Sequence, residues 1–257
     1  MLSLPINMLG TNVSRLGLGT VKIGRNQGLK YPAKFKLPDD KTVVNLFAMA
    51  QEAGINLLDT APAYGQSEER LGQLIGKNLR HWIVISKAGE EFYQGQSHFD
   101  FSRQAVERSV TRSLKRLGRD YLDVLLIHSN GDENSLIEKE AIFITLENLK
   151  QAGVIRMGGI SSKTVAGGIA SLDYADCVMV TYNPTYLAEQ PVLDHAAKLS
   201  KPVFIKKAFC SGHIEQIAAQ DPIQRALEFI FSHPAPSHVI AGTINSEHLQ
   251  HNINLCQ

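Results

Sequence analysis

Four side chains in the first half of the chain, Asp59, Tyr64, Lys87 and His128, combine into an acid–base set. A phenol with its ordinary pKa near 10 is a poor proton donor at neutral pH unless a nearby cation favours the phenolate. Lys87 supplies that cation. Asp59 supplies the counter-ion that a buried ammonium needs to stay charged. His128 adds an imidazole able to orient a substrate oxygen or to share a proton with Tyr64. Such a set protonates an oxygen, or deprotonates it in reverse. It holds no activated Ser or Cys nucleophile, no paired carboxylates and no metal-ligand spacing.

Strand ends bring these groups together. Asp59 closes the run Ile55-Asn-Leu-Leu58, Lys87 closes Ile83-Val-Ile-Ser86, and His128 closes Val124-Leu-Leu-Ile127. Tyr64 lies in the loop Ala61-Pro-Ala-Tyr-Gly65 just after the first of them. In an α/β barrel the C-terminal rim of the strands is where chemistry collects, so three consecutive strands ending in ionisable groups point to a site. Singly, each residue has a plainer reading: Asp59 as a turn cap, Lys87 as a solvated charge, His128 as a bonded rim histidine, Tyr64 as a loop aromatic. Their shared rim is what packing does not explain.

The elements that position them alternate along the whole chain. Candidate strands are Ser14–Val21, Ile55–Thr60, Trp82–Ser86, Tyr121–Ile127, Ile155–Ser161, Cys177–Tyr182, Pro202–Lys207 and His238–Gly242. Helical patterns cover Asp40–Ala53, Ser67–Lys77, Ser102–Leu117, Ile142–Ala152, Thr164–Ser171, Glu189–Leu199, Pro222–Phe231 and Ser246–Asn254. Ser67, with Glu68 and Glu69 behind it, reads as a capped acidic first turn, and Gly54, Gly118 and Gly153 sit where helices should stop. Leu2–Pro5 and Leu9–Val13 are expected to form a hairpin closing the barrel's bottom. The reading is one (β/α)8 TIM-barrel domain over residues 1–257, a length typical of that fold. An open dinucleotide-binding sheet is the rival, but Gly17-Leu-Gly19 runs into a loop with Pro32 and Pro38, not into a helix.

Composition narrows the partners. The sequence is 44% hydrophobic and 20% charged with a formal charge of +1, which gives no whole-protein field for nucleic acid or an anionic membrane. Cys177, Cys210 and Cys256 fit neither disulfides nor structural zinc, and no basic-then-apolar leader or long apolar span is present. The expectation is a soluble cytoplasmic protein, a monomer or small homo-oligomer, acting on a small molecule.

The chain resembles the aldo-keto reductase superfamily through Asn56-Leu-Leu-Asp-Thr-Ala-Pro-Ala-Tyr-Gly-Gln-Ser-Glu68, Ile85-Ser-Lys87 and Leu117-Gly-Arg-Asp-Tyr-Leu-Asp-Val-Leu-Leu-Ile-His128. Gly17-Leu-Gly-Thr20, Gly158-Gly-Ile-Ser-Ser162 and Ile240-Ala-Gly-Thr243 extend the likeness over nearly the whole sequence. The resemblance implies an NAD(P)H-dependent oxidoreductase interconverting a carbonyl and an alcohol. Tyr64 would be the general acid/base, Lys87 its pKa-lowering partner, Asp59 the support of Lys87, and His128 the group that orients the carbonyl.

The cofactor positions implied are Gly19, Thr20, Ser161, Ser162, Lys206, Lys207, Phe209, Ser211, Gly212, Gly242, Thr243, His248 and Asn252. Several depart from the family pattern. Ser162 stands where Asn is usual, Met179 near a usual Gln, and Ile205-Lys-Lys-Ala-Phe-Cys-Ser-Gly212 replaces an aromatic that stacks on nicotinamide, which puts Lys206 or Lys207 by the pyrophosphate. Ile244, His248 and His251 take places often held by 2′-phosphate-gripping or adenine-facing residues, so NADP(H) is favoured over NAD(H) only weakly. The sequence stops after its last helix, so specificity is expected from loops such as Ser129–Ile137 and Ser211–Asp221. Two alternatives stand beside this reading: a catalytically idle NADP(H)-binding sensor or regulatory subunit of the same fold, and a metal-dependent barrel hydrolase using Asp59 and His128. Nothing in the sequence supplies the remaining ligands of such a metal.

Overall fold

A strand whose neighbours are covered by helices outside and by packed side chains inside must be apolar on both faces, and the eight central strands are. The computed structural model describes residues 6–138 and 141–256. The strands are β1 (Ile6–Met8), β2 (Thr11–Val13), β3 (Leu16–Gly19), β4 (Leu57–Asp59), β5 (Ile83–Ala88), β6 (Glu90–Tyr93), β7 (Gln96–Phe99), β8 (Leu122–His128), β9 (Ile155–Ser161), β10 (Cys177–Thr181), β11 (Val203–Lys206) and β12 (Ser237–Ala241). β3, β4, β5, β8, β9, β10, β11 and β12 pair in parallel, in that order, and close into a barrel.

Successive side chains along a strand point to opposite faces. Leu57, Ile85, Leu126, Met179 and Phe204 fill the interior, together with Met8 and Val13 from the β1–β2 hairpin. The alternate residues Leu58, Val84, Leu125, Val178 and Val203 face out and pack with the helices. The same alternation carries upward to the C-terminal rim. Two residues beyond each interior position stand Asp59, Lys87, His128, Thr181 and Lys206, all therefore inward-pointing.

The helices follow the expected order, from Asp40–Glu52 to Ser246–Cys256. Asp39, Thr164 and Asp221 cap theirs by accepting from backbone N–H groups. Gly118 ends the helix Arg103–Leu117 in the left-handed region at φ 64°, where glycine carries no steric penalty. Ser67 is a correction. It does not cap its helix; it is buried, and its hydroxyl donates to Thr20 Oγ1 at 2.7 Å. The first turn is acidic as expected, with Glu68 and Glu69 in it, and the Glu68 carboxylate is buried and accepts from Ser86 Oγ at 2.7 Å.

The expected arm Leu2–Pro5 lies outside the described residues. The hairpin there pairs Ile6–Met8 with Thr11–Val13, and Leu9 and Gly10 form the turn with positive φ. The first strand ends at Gly19, and Val21, expected in it, opens a short helix, Val21–Gly24; a helix at Glu133–Glu138 within the expected loop, the β6–β7 hairpin above the rim and several 3-10 turns are further elements that had no sequence forecast.

Candidate active site

Contacts at the ends of β3 and β4 fix the rim on which the predicted groups stand. Thr20 donates to the Asp59 carbonyl through both its N–H, at 3.0 Å, and its hydroxyl, at 2.9 Å. Ser67 bonds back to Thr20, and Thr60 lies 3.1 Å from the Ser67 hydroxyl. This buried knot ties two strand ends to the helix that begins at Ser67. Between them runs a single 3-10 turn, Pro62–Tyr64. Gly24 lies directly under that turn, its carbonyl accepting from Gln66 N at 3.1 Å, and Arg25 Nη1 donates to the Ala63 carbonyl at 3.0 Å.

The four predicted groups meet over the barrel mouth. Lys87 Nζ forms an ion pair with Asp59 Oδ1 and donates to the Thr60 carbonyl at 3.0 Å, with the two charged side chains only 1% and 4% exposed. The Tyr64 hydroxyl donates to Asp59 Oδ2 at 3.2 Å, and the ammonium sits 4.7 Å from the centre of the Tyr64 ring. His128 meets Tyr64 edge to face, ring centres 6.4 Å apart. Asp59 is thus the hub, accepting from both Tyr64 and Lys87.

Electrostatics divide the roles differently from the sequence expectation that Lys87 lowers the Tyr64 pKa. Burial and then the Asp59 carboxylate push the Tyr64 phenol well above its ordinary value, so it is held protonated. Burial pulls Lys87 down, with Asp59 opposing. The ammonium's charge is committed to Asp59, which therefore reaches the phenol only partly compensated. Burial also lowers His128.

His128 has a neighbour that the sequence did not suggest. Glu90, at the start of β6, places Oε2 2.6 Å from His128 Nδ1. The carboxylate and the ring nitrogen are in direct contact, and Glu90 opposes the lowering of His128 by burial. The only sequence clue was a Glu pair three residues beyond Lys87, in a segment without strand alternation.

Beside the mouth lies a cavity of about 630 Å³, within the usual range for a ligand pocket. Lys207, Phe209, Ser211, Gly212, Gly242, Thr243, His248 and Asn252 line it. So do Lys22, Tyr31 and Lys34 from the first βα connection, which sequence reasoning passed over. Lys22 Nζ sits 4.0 Å from the centre of the Tyr31 ring. Lys207, Cys210 and Ser211 all have φ between 50° and 56°, a cluster of left-handed non-glycine residues of the kind found where a backbone is shaped for a ligand. Gly242 lines the cavity and Gly19 lies against it: a Cβ on Gly19 would come within 3.5 Å of Gly242 backbone.

The remaining predicted cofactor residues lie elsewhere. Thr20 is part of the buried knot. Lys206 separates from Lys207: it turns into the mouth and donates to Ser161 Oγ at 2.9 Å and the Ser162 carbonyl at 2.7 Å. Burial, partly offset by Glu189, brings it down to about 8. The Ser162 hydroxyl points the other way, into the helix layer near Gly168. Met179 packs within the interior, whereas His251, engaged by Asp221 at 2.9 Å, stands on the cavity wall. Among the described residues, no three His, Cys, Asp or Glu side chains gather to hold a metal, and no helix is long and apolar enough to cross a membrane.

The closed parallel barrel thus carries an Asp–Lys–Tyr–His cluster on its C-terminal rim, beside a cavity of about 630 Å³. The sequence profile of the Aldo/keto reductase family matches residues 15–216, and the chain belongs to that family. In structure it is similar to PA4992 of Pseudomonas aeruginosa, a protein assigned to the aldo-keto reductases, with 47% identity and a TM-score of 0.86 over 96% of this chain and 91% of that one. The oxidoreductase YqkF of Bacillus subtilis, whose function is uncharacterized, is 26% identical over 95% of this chain and 89% of its own. An NADH-specific methylglyoxal reductase of Escherichia coli is 30% identical over 63% of this chain and 52% of its own.

Proposed function

We propose that the chain catalyses NAD(P)H-dependent reduction of an aldehyde or ketone to an alcohol, or the reverse, with Tyr64 as general acid/base. The observation that carries this is the convergence of Tyr64 and Lys87 on Asp59, with His128 facing the Tyr64 ring, beside a cavity of about 630 Å³. Lys22, Lys207 and the backbone around Ser211 would hold the pyrophosphate, and the bound nicotinamide supplies the hydride. A glycine at both Gly19 and Gly242 keeps the way into the mouth clear of side chains.

The chain's own residues manage the proton. A phenol kept protonated at neutral pH is ready to donate to an oxygen that becomes an alkoxide. The resulting phenolate then has the Lys87 ammonium close to its ring, so the cation acts on the product of proton transfer more than on the resting acid. His128 aligns the substrate oxygen, and Asp59 keeps Lys87 charged and in place. Lys34 and His248 on the crevice wall favour NADP(H) over NAD(H), in contrast to the NADH-specific relative.

Tyr64→Phe is expected to lower turnover about 10²–10⁴-fold while leaving cofactor affinity nearly unchanged, because the hydroxyl matters in the transition state. Turnover undiminished in that variant refutes the mechanism. Fluorescence titration should show NADPH binding more tightly than NADH; the opposite order overturns the cofactor preference. Cofactor binding without reduction of any aldehyde, sugar or diketone would favour the idle sensor.

A further inference from the structure

Glu90 is held in place from several directions. The β6–β7 hairpin pairs Glu90 with Phe99 and turns at Gln94–Gly95, both with positive φ, as a two-residue turn between twisted strands requires. Its flanks are pinned by cations from two other loops: Arg25 lies 3.2 Å from the centre of the Phe92 ring and Lys163 5.3 Å from that of Phe99. At its base Gly89 has φ +96°, and a Cβ there would meet the Phe101 ring at 2.5 Å, so the chain doubles back closely enough to return Glu90 over the mouth. Ser97 Oγ donates to Glu90 Oε1, which leaves Oε2 for His128.

Around His128 the charges are unequal. Lys87 from β5 and Lys206 from β11 both oppose a charged imidazole, and the Tyr64 ring on the remaining side is neutral. Burial opposes it further. Glu90 is the group in contact that favours it. Against two ammonium ions and desolvation, an imidazole without a carboxylate would stay neutral through the reaction.

We propose that Glu90 is a positioning residue for His128, fixing Nδ1 and stabilising the imidazolium so that Nε2–H is offered to the oxygen of the reacting carbonyl. The inference rests on the reading of the site as a carbonyl reductase and adds to it a fifth group, delivered by a hairpin that is not part of the barrel. The carboxylate acts through the imidazole and does not touch substrate. His128, lowered by burial, and Glu90, itself held down at about 2, remain an ion pair once the imidazole is protonated.

The test is Glu90→Gln, close in shape and able to keep the Ser97 contact, with Glu90→Ala beside it. NMR titration of the His128 ring nitrogens in the full chain should move to about one pH unit lower in both variants, since each removes the attracting charge. In the reductive direction kcat should fall about tenfold at pH 7, with the descending alkaline limb of the profile displaced the same way and cofactor affinity unchanged. A His128 titration and pH profile identical to wild type, even with a lowered melting temperature, would show that Glu90 only builds the hairpin and overturn the proposal. Should the wild type reduce no carbonyl compound, the functional reading fails, and the NMR titration still decides the coupling between Glu90 and His128.

Discussion

The Asp59–Lys87 pair is the most exacting place to test the physics of the site. Both charges lie under the rim, 4% and 1% exposed, and the ammonium is bonded to Asp59 and to the Thr60 carbonyl. Lys87→Met leaves a buried carboxylate with only the Tyr64 hydroxyl and the solvent-poor mouth around it. Asp59→Asn leaves a buried ammonium facing a neutral amide. Breaking a buried pair from one side costs about 3–5 kcal/mol, because the surviving charge is desolvated without compensation. In a chain of this size each kcal/mol moves Tm by roughly 2–4 °C, so either single variant should melt about 10 °C below wild type. The double variant removes both charges and should recover part of that loss, with a coupling energy of at least about 2 kcal/mol in a double-mutant cycle read by urea denaturation at pH 7. Single variants within about 1 kcal/mol of wild type that add without coupling would refute the reasoning, since a solvated pair behaves that way.

Two further tests bear on the scaffold. Gly24→Ala places a Cβ 2.1 Å from Ser67 N and 2.3 Å from the Tyr64 carbonyl, both backbone atoms, so the turn bearing Tyr64 must move. It should destabilise by about 1–3 kcal/mol and reduce kcat more than it raises KM; steady-state kinetics at constant pH that show an unaltered kcat would count against that turn as the positioning element. His238, fully buried beside Phe204 with Nδ1 3.0 Å from the Ser14 carbonyl, is pulled down to about 4 by burial. Its ordinary value is 6.5, so between those limits the unfolded chain binds the proton first. The contribution is therefore complete above about pH 6.5 and lost as pH falls towards 4, up to roughly 3 kcal/mol. His238→Asn, which keeps a donor for Ser14, should flatten that slope in urea melts at pH 7 and 5; equal slopes for the two proteins would contradict it.

Much of this architecture was legible because it depends on local rules. All eight barrel strands fall within the short apolar runs that separate the helical patterns, and most helices between them begin and end within a few residues of the expected bounds. Asp59, Lys87 and His128 were legible as a set because each ends a strand, and Tyr64 because its loop is too short to carry it away. What stayed hidden depends on packing. Ser67 looks like a cap and is a buried hydroxyl, since Thr20 and Thr60 compete for it more closely than the helix N–H groups do. Lys206 and Lys207 are alike in sequence and separate in space by strand alternation, one turning into the mouth and one into the crevice. Glu90 lies in a stretch whose pairing is fixed by cation–ring contacts with distant loops, which no periodicity reports.

The alternation that splits those two lysines also orders the rim. Reading the inward positions around the closed barrel gives Gly19, Asp59, Lys87, His128, Ser161, Thr181, Lys206 and Gly242. The two glycines stand on β3 and at the end of β12, which pair with each other, and the cavity opens on their side. The acid–base groups occupy the three strands that follow, and the Lys206–Ser161 bond spans the part that remains. A cofactor entering over the glycines would therefore reach the mouth with Asp59, Tyr64 and Lys87 on one flank and Lys206 on the other. On that geometry Lys206 and the segment that follows it lie on one wall only. Under the proposed function the wall that would handle the proton is then separate from the wall that departs from the family pattern, so the Asp–Tyr–Lys–His set can stay together while the residues opposite it vary.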